Sequence, residues 1–251
     1  MKLLSDEDYI KLRESTRFVE NDLILFDKKV YIPDVASFFF LLKEIFQLEI
    51  YKFSTRTKKP LIIDCGANIG LSVIYFKRLY PHAKIIAFEP DKEIFKYLKS
   101  NVESFGYKDA ELINKALWNQ ETTLRFFSEG ADGGRIAADD EKQQIIEVQT
   151  VKLSEYLKDV NVDFLKIDIE GAETDVLLEC QNELKNVENI FIEYHSFSDK
   201  PQTLSTILSI LEKNGFRYYI EHIGVKSSHP FESITDYVGF DNQLNIFGYR
   251  K

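Results

Sequence analysis

From residue 61 onward the chain alternates between two patterns. Short runs that are apolar almost throughout (LIID at 61–64, KIIAF at 84–88, VDFLKID at 162–168, IFIEY at 190–194) are separated by longer stretches with helical spacing. Strands that read as continuous apolar runs are buried on both faces. Their alternation with helices predicts an α/β fold, a doubly wound and mostly parallel sheet. Strands are expected at 61–65, 84–89, 110–115, 162–168, 188–194, 216–221 and 243–250, and helices at 70–80, 91–105, 153–159, 172–184 and 201–214. No helix separates the last two strands, so a terminal antiparallel hairpin should close the seven-stranded sheet.

Residues 1–55 follow a different pattern, mixing acidic, basic and apolar positions without a glycine. A ribbon around Leu23–Ile32 and a helix from Asp34, its cap, to about Phe53 are expected there. The polar stretch from Ser54 to Pro60 reads as a boundary, which predicts an N-terminal extension (1–55) and a main domain (56–251). A second interruption lies between the strand-like runs Thr122–Phe127 and Ile145–Val151. Its glycines and charges, SEGADGGRIAADDEKQQ, predict a mobile excursion.

Composition narrows the function classes. The net charge of −9 supplies no broad cationic field, so nucleic acid is not an expected partner. The longest apolar run, starting at Ser37 and ending before Lys43, is too short to span a bilayer, and acids interrupt the first ten residues where a signal peptide needs apolar ones. The two cysteines, Cys65 and Cys180, sit in apolar segments and read as reduced, buried thiols of a cytoplasmic protein. A homo-oligomer is left open.

The chemistry begins where the first main-domain strand ends, at Asp64-Cys65-Gly66-Ala67-Asn68-Ile69-Gly70. A pyrophosphate-binding loop spaces its first glycines two residues apart and carries no acid before them. An acid at Asp64 suits a cationic ligand instead, such as the sulfonium and amino group of S-adenosylmethionine. Glu89, ending the next strand ahead of Pro90, can accept both hydroxyls of a ribose. Ala116 and Leu117, past the third strand, would flank an adenine. At the fourth strand's end Lys166, Asp168 and Glu170 share one side, and the fifth ends in Glu193-Tyr194-His195. Acids and a histidine gathered beside a methyl donor are candidates for a general base or a divalent-metal seat. Asp168, His195 and Glu193 are therefore the expected catalytic groups. Arg135, Glu170 and Tyr194 are the expected acceptor contacts. Two rival readings remain: an NAD-dependent oxidoreductase, opposed by the loop spacing and Asp64, and a non-catalytic module that keeps the fold.

Together D-C-G-A-N-I-G, F-E-P, L-K-I-D-I-E-G-A-E and I-E-Y-H resemble the FkbM-type S-adenosylmethionine-dependent methyltransferases over roughly 60–250. The resemblance implies the class I methyltransferase fold and O-methylation of a small-molecule, sugar, glycan or polyketide hydroxyl. It carries Asp64, Gly66, Asn68 and Glu89 as donor contacts and matches Asp168 to the family's strand-four acid. Related sugar O-methyltransferases use a divalent metal at comparable strand ends. This chain offers Glu193 and His195 in place of their doubled acid, so no metal ligands are assigned.

Overall fold

The computed structural model describes residues 3–128, 135–136, 144–236 and 239–250. Most of the 128–144 excursion, and the mobility expected of it, lies outside the described residues. The chain opens with α1 (Asp6–Arg13), capped by the Ser5 hydroxyl, which accepts from the Asp8 amide at 3.0 Å. This helix was not expected, because among its residues only Leu12 is buried and its apolar spacing is correspondingly faint. The expected ribbon is present as β1 (Asn21–Leu25) and β2 (Lys28–Ile32), joined through Phe26 and Asp27 at positive φ.

Next comes α2 (Val35–Leu42), with Asp34 accepting from the Ser37 amide as its cap. The helix expected to reach Phe53 instead widens into a π-helical turn at Lys43–Gln47 and stops. Glu49 takes a left-handed φ of 52°, and Tyr51 and Phe53 turn inward. Tyr51 packs 4.9 Å from the Phe191 ring, and Phe53 stacks 4.8 Å from Phe164. Residues of the first 55 thus share one hydrophobic cluster with the main sheet.

The main domain continues with β3 (Leu61–Cys65), α3 (Leu71–Leu79), β4 (Lys84–Phe88), α4 (Lys92–Ser104) and β5 (Glu111–Ile113). A small second sheet follows from β6 (Ala116–Leu117), β7 (Thr123–Phe127), β8 (Arg135–Ile136) and β9 (Ile145–Val151). The chain then runs through α5 (Ser154–Leu157), β10 (Val162–Ile167), α6 (Glu173–Cys180), β11 (Val187–Phe197), α7 (Leu204–Lys213), β12 (Arg217–His222) and β13 (Phe240–Tyr249). Several elements are shorter than their sequence patterns. The segment expected as helix 153–159 is a single turn, and the one expected to span 172–184 ends at Cys180.

The seven strands lie in the order β12-β13-β11-β10-β3-β4-β5. From β11 to β5 they are parallel, while β13 inserts antiparallel between β11 and β12. Alternation sorts their side chains. Phe164 of β10 faces the cluster holding α3 and α4, whereas Leu165 and Ile167 face the cluster holding α6 and α7. Among the described residues, no helix is long and apolar enough to cross a membrane. Both cysteines are buried and free.

Candidate active site

The sheet directs the carboxyl ends of β3, β4 and β10 toward one cavity, where ligands of open α/β sheets bind. Gly66 leaves β3 at φ +93°, and a Cβ there would lie 1.8 Å from the Asp168 carbonyl oxygen. Only a residue without a side chain lets the loop cross that close to the end of β10. Glu89, just past β4, is anchored by backbone alone. Its Oε2 accepts from the Asn68 amide at 3.0 Å and its Oε1 from the Asp91 amide at 2.9 Å. Burial pushes its carboxyl up to about 8, although those two amides oppose the shift. Asp91 caps α4 by accepting from the Glu93 and Ile94 amides.

Three walls enclose the cavity. The loop side presents Gly66, Ala67, Asn68, Glu89 and Pro90, and an apolar side presents Ile94, Ala116, Leu117 and Phe126. The third wall joins Lys166, Asp168, Glu170 and Glu193 to residues of the N-terminal segment, Phe40, Glu44 and Tyr51. Lys166 is fully committed. Its Nζ donates to the Gly66 carbonyl at 2.8 Å and pairs with Asp168 at 3.1 Å and Asp64 at 3.4 Å. Burial alone would lower its pKa, but Asp168, Tyr51 and Asp64 outweigh it and hold the ammonium charged.

Behind Glu170 and Glu193 lies His195, its side chain sealed from solvent. Its Nδ1 meets Glu173 Oε1 at 3.1 Å, and its Nε2 faces Glu193 at 3.3 Å and Glu170 at 3.5 Å. The same Glu173 oxygen accepts from the Gly171 amide at 2.9 Å and the Ile169 amide at 3.3 Å. Burial opposes a charge on the imidazole, but Glu170, Glu173 and Glu193 prevail and hold its pKa well above the ordinary value. Glu170 itself sits at φ +53°, uncommon for a residue with a side chain.

Of the residues expected from sequence, the cavity brings together Gly66, Ala67, Asn68, Glu89, Pro90, Ala116, Leu117, Asp168, Glu170 and Glu193. Others stand elsewhere. Asp64 is fully buried beneath the loop, holding the Ser72 hydroxyl at 2.5 Å and facing Lys166, so it acts on the cavity through these neighbours. Gly70 begins α3, and its bare Cα packs on Leu98 and Val102 of α4. Tyr194 spends its hydroxyl on the Thr203 amide at 2.9 Å. The Arg135 guanidinium lies over Phe127 at 5.0 Å and Phe197 at 5.7 Å rather than on the cavity wall. Sequence reasoning missed Glu44, Tyr51 and Asp91. An acid following the apolar run FFFLLK was the available signal for Glu44, and a cap-forming Asp directly after Pro90 was the one for Asp91.

Comparison with known proteins identifies the family. The family described as "Methyltransferase FkbM domain" matches residues 64–218. The chain is 28% identical over 207 residues to "Methyltransferase 1" of Beauveria bassiana, covering 72% of this chain and 82% of that protein. It is 24% identical over 218 residues to "31-O-demethyl-FK506 methyltransferase FkbM" of Streptomyces tacrolimicus, covering 72% and 83%. The crystal structure of a methyltransferase FkbM from Methylobacillus flagellatus superposes with a TM-score of 0.51 at 16% identity. That superposition covers 80% of this chain but 46% of the solved one, so this chain spans about half its length, and the likeness speaks for the fold.

Proposed function

The chain belongs to the FkbM methyltransferase family, and on that premise we propose that it methylates a hydroxyl oxygen on a sugar, glycan or polyketide-type acceptor. The relative named for 31-O-demethyl-FK506 supports transfer to oxygen. One observation carries the reading. The glycine loop and Glu89 face the carboxylates of Asp168 and Glu193 across a single cavity.

S-adenosylmethionine, when bound, supplies a methyl group already activated on a sulfonium. The cavity suits such a ligand better than a dinucleotide. Among the described residues its lining cations are Lys115 and Lys166, against Glu44, Glu89, Asp91, Asp168, Glu170 and Glu193. A pyrophosphate would find few cations and many acidic groups there, whereas a sulfonium and an amino group find acceptors. In this reading Glu89 accepts from the ribose, and Ala116, Leu117 and Phe126, which line the same cavity, flank the base.

A hydroxyl is a weak nucleophile near neutral pH, so a group must take its proton as its oxygen attacks the methyl carbon and the sulfur departs with the bonding pair. Asp168 and Glu193 line the cavity and are the acceptors of that proton. His195, expected from sequence as a base, holds Glu193 and Glu170 in place from behind.

Titration with S-adenosylmethionine, S-adenosylhomocysteine and NAD tests the donor site, and saturable binding of the first two alone is expected. Incubation of cell extract with isotopically labelled donor should label a hydroxyl-bearing product. Label found only on nitrogen or carbon would overturn the assignment to oxygen. Asp168→Asn should slow transfer by about 10²- to 10⁴-fold.

A further inference from the structure

We propose that the acidic end of the cavity is a seat for a divalent metal cation, ligated by the carboxylates of Asp168 and Glu193 and by Nε2 of His195. One ligand atom from each residue lies within 4.8 Å of the others, a span that a single ion with metal–ligand bonds of about 2.0–2.2 Å can close after small side-chain adjustments. The histidine is already oriented for this. Glu173 Oε1 is pinned by two backbone amides and takes Nδ1, which leaves Nε2 aimed at Glu193 and Glu170. A carboxylate behind a metal-bound imidazole is the usual supporting partner. Asp168 and Glu193 line the cavity and supply the path of entry.

A second observation points the same way. Glu44 is 8% exposed and lines the same cavity, and its carboxyl makes no hydrogen bond or ion pair among the described residues. Burial pushes its carboxyl up to about 8, and Glu193 and Asp168 add to that shift. Of the cations at this end, Lys166 is already shared between Asp64 and Asp168. His195, which pairs with Glu170, Glu173 and Glu193, gives up its Nε2 proton when it ligates the ion; Lys115 also lines the cavity. Carboxylates buried beyond the local supply of positive charge are costly, and a divalent cation would balance them. Two carboxylates favour Mn²⁺ or Mg²⁺, while the imidazole also admits Zn²⁺ or Fe²⁺. The inference rests on the methyltransferase reading only for the cation's task, lowering the pKa of an acceptor hydroxyl.

The test uses the full chain and Mn²⁺ alone, with free ion followed by electron paramagnetic resonance and heat by calorimetry, in the presence and absence of S-adenosylhomocysteine. One saturable site is expected, displaced by Mg²⁺, lost in Glu193→Gln and Asp168→Asn, and weakened about 10- to 100-fold in Glu173→Gln. Variants are compared where thermal unfolding matches the parent. His195→Ala is left as a supplement because it strips three buried carboxylates of their shared cation. Absence of saturable Mn²⁺ binding, or equal binding by all variants, overturns the proposal. S-adenosylhomocysteine binding without Mn²⁺ binding would sink the cation seat alone. The reverse result would leave the seat standing and remove the donor reading.

Discussion

The two ends of the cavity are built on opposite plans. At the loop end, backbone does the positioning: Gly66 makes room, and the amides of Asn68 and Asp91 fix both oxygens of Glu89. At the acidic end, side chains from separate stretches, Glu44, Asp168, Glu170 and Glu193, converge around Lys166 and His195. The first plan gives a fixed shape, which in the proposed reading receives the methyl donor. The second gives a charge balance that a single substitution or bound cation can reset, and in the proposed reading the acceptor enters there.

Gly66→Ala should have the largest effect, because Gly66 is where the two ends touch. A Cβ colliding with the Asp168 carbonyl at φ +93° is expected to cost about 5 kcal/mol or more, seen as loss of cooperative thermal unfolding. A folded variant that still bound S-adenosylhomocysteine would show that the ends are more separable than described.

Tyr51→Ala follows at about 3–5 kcal/mol, since the ring is 2% exposed and wedged among Phe76, Phe164 and Phe191. Chemical denaturation with one transition for the whole chain would confirm that the acidic wall is rooted in the common core.

Glu89→Gln tests the loop end alone. Measured above pH 8, where the carboxyl is charged, the loss of this acceptor should weaken donor binding by about 1.5–3 kcal/mol, with Mn²⁺ affinity unchanged. Its pKa of about 8 also fixes a sign. The free protein holds a proton there below pH 8, so calorimetric donor affinity should strengthen as pH rises through 8 and lose that dependence in the variant. The folded carboxyl lies above its ordinary value of 4.5, so between these limits the folded state binds the extra proton and stability falls as pH rises.

Asp34→Ala is the smallest change. It removes the cap of α2 and the Arg17 pair at 3.0 Å, for about 1–2 kcal/mol, and should lower the melting temperature while leaving donor affinity intact.

The same contrast explains what could be read from the sequence. The loop end is one contiguous motif between two apolar strands, so Gly66, Asn68 and Glu89 could be placed from spacing alone. Asp64 looked like a donor contact because it precedes the glycines. Its partners, Ser72 and Lys166, come from a helix and a neighbouring strand, and only pairing shows that they enclose it. His195 is expected as a base from its place at a strand end. Nothing near it in sequence announced Glu170 and Glu173, some twenty residues earlier, as the groups that hold it. Glu44 was hidden differently, by a π-helical turn that no apolar period encodes.

Phe40, Glu44 and Tyr51 all precede residue 64, where the match to the family begins. In the proposed reading, the wall facing the acceptor is therefore supplied by a segment that lies outside the family match yet is rooted in the common core. Chimaeras that exchange this stretch between relatives should redirect which molecule is methylated, provided the graft carries Tyr51 and Phe53 as its roots.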